Sequence, residues 1–296
     1  MLEYLKSAVL GIVEGITEWL PISSTGHMIL VDEFFTLKTA NGAAFTNFFL
    51  VAIQLGAILA VVLLYFKKIW PLHLKNTAVA PYFKGANVGG FKGFCNNYIH
   101  VDKMVLWFKI LVASIPAALL GILFDDKIDS MLTGNSRAYI VATTLILYGV
   151  LFIIIESMNK KESILSTDDI TYKTALLIGI IQCLALIPGT SRSGTTILGA
   201  MLLGLSRTAA AEFSFFLSIP AMAGGSAIKL LDYFSAGYSF TTGELAILAV
   251  GMLVAFIVSV LAIKFLMSYI RRHDFKAFGY YRIILGAILI LYFVFK

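Results

Sequence analysis

The chain has 296 residues, of which 59% are hydrophobic and 14% charged. A soluble domain carries about 25% charged residues, so this balance excludes an ordinary globular protein and points to a polytopic membrane protein. The formal net charge of +6 does not mark nucleic acid as a partner. The basic residues gather in loops beside apolar stretches, as membrane orientation requires.

In chain order, the first apolar region covers about 2–37. It carries Glu3, Lys6, Glu14 and Glu18 with no small-residue cleavage site after them, so it is expected to stay in the mature protein and not to be a signal peptide. A polar run, Pro21-Ile-Ser-Ser-Thr-Gly-His27, breaks it. Full crossings are expected at about 45–66, 104–124 and 138–157, with a polar, Gly-rich loop at about 67–103. A second broken region follows at about 172–205, interrupted by Pro188-Gly-Thr-Ser-Arg-Ser-Gly194. Crossings at about 208–231, 243–267 and 279–295 complete the chain. The pieces flanking each break are too short to span a hydrocarbon core of about 30 Å, and suit re-entrant helix–loop–helix hairpins. Cys95 and Cys183 have no ligand-like neighbours, so neither a disulfide nor a zinc site is expected.

The two broken regions resemble each other. At an offset of 168, Gly11 falls on Gly179, Ser23 on Ser191, Gly26 on Gly194 and Gly56 on Gly224. Each break is followed by three crossings, so the chain reads as two halves, 1–157 and 158–296, forming one membrane domain. Three crossings between the breaks make the repeat inverted, and inverted hairpins meet near the midplane. The expected fold is therefore all-α, with six transmembrane helices and two re-entrant hairpins. One face collects fourteen Lys and Arg, among them Lys67, Lys68, Lys75, Lys84, Lys173, Arg271 and Arg282. The other collects six: Lys6, Lys38, Lys127, Arg137, Lys229 and Lys296. The first face is then cytoplasmic and both termini lie outward, with the first hairpin entering from outside and the second from the cytoplasm.

Glu14 and Glu18 stand four apart, so a helix projects both carboxylates from one face. Two buried like charges repel, and need a divalent cation, an arginine or protonation to compensate. His27 ends the same break. The hydroxyls of Ser23, Ser24 and Thr25 can donate to phosphate oxygens, and Gly26 lets a backbone come close. The second break supplies Arg192 between Ser191 and Ser193, with Gly194 and Thr196 beside it. An arginine in mid-membrane needs an anion, and a guanidinium grips phosphate through parallel hydrogen bonds. A helix starting near Gly194 adds its positive dipole end. Gln182 and Leu186 stand opposite Glu14 and Glu18 in the repeat, so the second half keeps the anion grip without the acids. Asn47, Gln54 and Glu212 are candidates for lining a cavity or capping helices, and Lys109 for reaching the cytoplasmic face.

Two runs carry a family resemblance. Glu14-Gly-Ile-Thr-Glu18-Trp-Leu-Pro21-Ile-Ser-Ser-Thr-Gly-His27 resembles the acid-pair motif of the undecaprenyl-diphosphate phosphatases, the bacitracin-resistance family. Pro188-Gly-Thr-Ser-Arg-Ser-Gly-Thr-Thr196 resembles that family's PGxSRSxxT motif without departure. The resemblance covers essentially the whole chain. It implies hydrolysis of undecaprenyl diphosphate to the monophosphate, which recycles the lipid carrier of peptidoglycan synthesis in the bacterial plasma membrane. It also implies a divalent cation, Mg2+ or Ca2+, with Glu14 and Glu18 binding it or acting as base. Arg192 would hold the diphosphate, with Ser191, Ser193 and Thr196 around it. Besides the lipid substrate and membrane lipids, a second copy of the chain is a candidate partner. Three schemes stay open for the attack on phosphorus: His27, Ser24, or a metal-activated water.

The rival from another class is a transporter that flips a phosphorylated polyprenyl lipid, because inverted repeats with broken helices are common there. A type-2 phosphatidic acid phosphatase is disfavoured. It needs a second histidine motif, and His73, His100 and His273 all fall in loops of the expected topology.

Overall fold

The computed structural model describes residues 1–73, 90–124, 137–158 and 160–295. The expected positions Lys75, Lys84, Lys127 and Lys296, and the central part of the 67–103 loop, lie outside the described residues. The described chain is helical, and its only β pairings are two isolated bridges, Leu72 with Ile99 and Ile164 with Leu205.

Six helices are long and apolar enough to cross a membrane, and each overlaps an expected crossing. They are α3 (Gly42–Leu64), α6 (Val101–Leu123), α7 (Arg137–Ser157), α10 (Arg207–Ser235), α11 (Thr242–Ile270) and α12 (Lys276–Phe295). Mean hydropathy reaches 2.9 in α11, whose start is fixed by a capping box between Thr241 and Glu244. Short helices α4 (Phe66–Ile69) and α5 (Gly90–Tyr98) flank the central loop. The chain is a multi-pass membrane protein. Leu59, Leu63, Leu253 and Leu261 are exposed on the helix exteriors, while Phe213, Phe215 and Phe216 of α10 are fully buried.

The two broken regions are helix–break–helix units. The first comprises α1 (Leu2–Thr17), a turn, and α2 (Ser24–Phe35). The second comprises α8 (Tyr172–Gln182), a 3-10 turn at Cys183–Leu186, and α9 (Arg192–Leu202). α1 packs on α11 and α8 packs on α6. Glycines make both contacts close. A Cβ at Gly11 would sit 2.6 Å from the Gly251 carbonyl oxygen, and one at Gly179 would sit 2.1 Å from that of Ala113. Small residues are what bring membrane helices together where no hydrophobic force separates protein from lipid. Hydroxyls reinforce the α1–α11 seam, with Ser7 donating to the Ile247 carbonyl at 2.6 Å.

α3 and α10 lie side by side and antiparallel. Asn41, before α3, bonds Tyr233, Ser239 and Glu244 at one end. Lys68, after α3, pairs with Glu212 at 2.5 Å near the start of α10. α7 and α12 also run antiparallel, the Tyr139 hydroxyl at the start of one donating to the Phe293 carbonyl at the end of the other.

One expectation is sharpened and one changes. The helix expected to start near Gly194 begins at Arg192, capped by Ser191. Arg282, counted among the cytoplasmic loop charges, is fully buried inside α12. Without it the sequence count becomes thirteen against six, so the expected imbalance keeps its direction.

Gly179→Val forces a side chain into the Ala113 backbone and should destabilise the protein by about 1–3 kcal/mol. Gly224→Ala meets nothing within 4 Å, and should be neutral or raise the melting temperature through helix propensity worth about 1 kcal/mol. Thermal melts in detergent compare the two.

Candidate functional site

The first break places its acids by ordinary helix geometry. The Glu18 amide still donates to the Glu14 carbonyl at 3.0 Å, so the i,i+4 register holds and both carboxylates leave one face of α1. Glu14 is 1% exposed and Glu18 7%. Glu14 lies against Glu18 and Gln54, and its Oε1 has no hydrogen-bond partner.

Arg192 crosses from the other unit. Its Nη2 donates to Glu18 Oε1 at 3.0 Å and its Nη1 to the Ser214 carbonyl at 2.9 Å. The guanidinium lies 5.9 Å from the ring of Trp19, which is fully buried and packs edge-on against Phe215. Ser24 donates its hydroxyl proton to the second Glu18 oxygen at 2.9 Å. Glu18 thus joins an arginine and a serine from opposite breaks. Removing either charge of such a buried pair leaves the other uncompensated, at about 3–5 kcal/mol. The pair is costly to bury even when complete, so it is weak evidence for stability and stronger evidence for a task.

The two breaks share a backbone device. Ser23 and Ser191 are the only non-glycine residues with positive φ among the described residues, at 73° and 71°. Each caps the helix that follows: Ser23 Oγ accepts from the Gly26 amide and Ser191 Oγ from the Gly194 amide. Such a backbone costs about 1–3 kcal/mol and survives only where the surroundings enforce it. The result is two helix starts, α2 and α9, opening at the same place, each with first-turn N–H groups suited to an anion.

The expected phosphate ligands divide by this geometry. Ser23 and Ser191 spend their oxygens as caps. The Thr196 hydroxyl bonds the Arg192 carbonyl and Ser214 Oγ, the latter at 2.6 Å. Ser193 is buried, 3.2 Å from Ser191 Oγ. Thr25 is half-buried on the first turn of α2, where Gly26 packs on Leu145 of α7. Gly194 lies in the first turn of α9, where a Cβ would come within 3.1 Å of Arg282.

His27 is set apart, one turn into α2. Its Nδ1 lies 2.7 Å from the Ser23 carbonyl and its Nε2 2.7 Å from the Tyr281 hydroxyl. A carbonyl only accepts, so Nδ1 carries the proton and, in the neutral ring, Nε2 accepts from Tyr281. The two rings lie nearly parallel, 5.6 Å apart. His73 and His100 lie near the central loop with ring centroids 4.7 Å apart, and His273 stacks on Tyr269.

Sequence reasoning missed Trp19, Tyr281, Arg282 and the Ser214 carbonyl. Arg282 had a visible signal, a charge inside an apolar crossing, but it was grouped with loop charges. Nothing in the primary sequence marks a backbone carbonyl such as that of Ser214.

Fold and site together define a helical membrane protein with an acid–arginine pair held where two broken helical units meet. The profile of the bacitracin resistance protein BacA family matches residues 7–288. An undecaprenyl-diphosphatase of Enterococcus faecalis is 54% identical over 292 residues, covering 98% of this chain and 97% of that protein. Undecaprenyl-diphosphatase 1 of Clostridium acetobutylicum is 55% identical over 296 residues, covering 99% and 98%. An undecaprenyl-diphosphatase of Acetivibrio thermocellus is 54% identical over 296 residues, covering 99% of each chain. The chain belongs to the BacA family.

Ser191→Gly should be tolerated better than Ser191→Ala. Glycine relieves the positive φ and loses only a few tenths of a kcal/mol as a cap, whereas alanine keeps the strain and loses about 1 kcal/mol. The order of the two melting temperatures in detergent checks this.

Proposed function

We propose that this protein is an undecaprenyl-diphosphate phosphatase, which removes the terminal phosphate of the lipid diphosphate and leaves undecaprenyl phosphate. The observation that carries the reading is the contact between Glu18, Arg192 and Ser24 across the two breaks, in a chain about half identical to three proteins of that name. In the cell the product would re-enter peptidoglycan synthesis, and loss of the enzyme would raise sensitivity to bacitracin.

In the mechanism we favour, Arg192 holds the terminal phosphate. Its Nη1 and Nη2 hold the Ser214 carbonyl and Glu18 in the resting site, and the Glu18 contact gives way as the fork takes phosphate oxygens. The first-turn amides of α2 and α9 add fixed positive dipoles. Ser24 Oγ is the nucleophile, because its proton already points at Glu18. It attacks the terminal phosphorus as Glu18 takes that proton, and the bond to the bridging oxygen breaks, releasing undecaprenyl phosphate. Water then hydrolyses the phosphoserine, with Glu18 returning the proton. Phosphoryl transfer asks mainly for positioning and charge neutralisation, which these groups supply. His27, with both nitrogens engaged, positions Ser23 and the start of α2. A phosphohistidine at His27 is the outcome that would reverse these two roles.

The acids also suit a divalent cation. The unpartnered Glu14 Oε1, with Glu18 and Gln54 beside it, makes a hard oxygen set of the kind that Mg2+ or Ca2+ takes. No group of three His, Cys, Asp or Glu is found among the described residues, so phosphate and water would complete the shell, as is usual for Mg2+. Bound there, the cation would neutralise charge on the diphosphate.

Two further parts of the reading concern architecture and setting. The halves 1–157 and 158–296 form an inverted repeat with re-entrant hairpins. Its supports are the matched caps at Ser23 and Ser191, the matched glycines at Gly11 and Gly179, and the antiparallel pairs α3–α10 and α7–α12. The protein sits in the bacterial plasma membrane with both termini and the site opening outward, which the excess of Lys and Arg on the other face supports. A second copy of the chain would be its partner in a homodimer, which crosslinking in membranes reads out.

Detergent-solubilised protein, with no membrane to cross, should release phosphate from undecaprenyl diphosphate. Glu18→Gln and Arg192→Gln should each lower kcat by at least 100-fold, in line with the loss of a charge-stabilising group. A flippase without hydrolysis would release none. Mg2+ or Ca2+ should raise the melting temperature of the wild-type protein, and Glu14→Gln should abolish that shift. An equal shift in the variant would remove Glu14 as a ligand.

A further inference from the structure

α12 brings a charge to the centre of the molecule, and that charge bonds no acid. Arg282 is fully buried. Its Nη1 donates to the Pro21 carbonyl at 3.2 Å, and its Nη2 to the carbonyls of Gly189 at 3.0 Å and Thr190 at 2.9 Å. Pro21 belongs to the first break, Gly189 and Thr190 to the second. The guanidinium lies 5.5 Å from the ring of Tyr148 on α7. Burying a cation in a membrane costs several kcal/mol, and three neutral carbonyls and a ring face recover only part of it. Carbonyls in a helix break have lost their helical donors and need new ones, but an amide or a hydroxyl would meet that need more cheaply.

What a guanidinium adds is reach in two directions from one rigid plane. Its two terminal nitrogens bond different breaks. Of the other polar links between the breaks, Ser193 Oγ to the Leu20 carbonyl is long, at 3.5 Å, and Arg192 to Glu18 uses the same N–H fork that phosphate needs, so it must loosen when the substrate binds. The Arg282 hydrogen bonds go to backbone carbonyls alone, so phosphate does not compete for their acceptors.

We propose that Arg282 is a positioning residue for the phosphatase reaction: it fixes the separation between the break that carries Glu18 and Ser24 and the break that carries Arg192. The assignment rests on the reading above that both breaks build one site. Arg282 touches no substrate atom. It acts through Pro21, Gly189 and Thr190, holding the phosphate grip in line with the nucleophile after the ion pair has opened. A misplacement of about 1 Å at a reacting centre can cost 100-fold in rate. Binding suffers less, because Arg192 and the start of α9 move together.

The test uses full-length protein in detergent, with Arg282→Lys, Arg282→Met and Thr144→Val assayed for kcat, KM and melting temperature. Thr144 donates to the Pro188 carbonyl at 2.8 Å and so ties only the second break to α7. Lysine keeps the charge but has a single nitrogen, so Arg282→Lys should lose about 100-fold in kcat with KM changed less than threefold. Thr144→Val should lose less than fivefold in kcat. Should Arg282→Met fail to fold, the lysine variant decides alone. Turnover of Arg282→Lys within twofold of wild type overturns the assignment. So does a fall in kcat that tracks melting temperature equally in Arg282→Lys and Thr144→Val, since that is a structural role only. Full turnover in Glu18→Gln and Arg192→Gln would instead sink the underlying site, whatever Arg282 does.

Discussion

An ion pair between Glu18 and Arg192, 3.0 Å long and almost sealed from solvent, joins two segments that lie 174 residues apart. In a low-dielectric interior neither charge is tolerable alone, and even the pair costs more to desolvate than a hydrophobic contact of the same size. The rest of the structure follows from meeting that cost. The acid needs a helix that ends inside the protein, so α1 stops at Thr17 and leaves Glu18 at its cap. The arginine needs a helix that begins there, so α9 starts at Arg192 itself. Both requirements force breaks in the backbone where the two units meet.

Breaks have their own cost, because backbone groups without helical partners find no water in a membrane. The protein meets it with specific side chains. Ser23 and Ser191 cap the two new helices, Thr144 takes the Pro188 carbonyl, and Arg282 takes three more carbonyls. The α7–α12 pair that supplies Thr144 and Arg282 is itself held tight by glycines. A Cβ on Gly149 or on Gly279 would come within 2.7 Å of the other's carbonyl oxygen. That seam is therefore less a lipid-facing filler than the support on which both breaks rest.

Much of this was legible in the sequence. Hydropathy located all six crossings, since apolar runs near 20 residues have few other uses. The i,i+4 acids and the mid-membrane arginine marked themselves as expensive, and they meet in space. Roles that depend on tertiary contact were not legible. Ser23 and Ser191 looked like phosphate donors because a hydroxyl carries no sign of whether it will cap a helix. Arg282 looked like one more loop cation because its value lies in which carbonyls fold against it. Tyr281 was invisible beside it, since only the fold brings its hydroxyl to His27.

The central claim is that the two breaks form one catalytic unit, and a double-mutant cycle tests it most directly. Turnover in detergent would be compared for wild type, Glu18→Gln, Arg192→Gln and the double variant. Residues that act as a unit are non-additive in their effects on rate. The account predicts that the double variant is about as slow as the slower single variant. Losses that multiply would contradict it, since they would mean that the acid and the arginine serve separate sites.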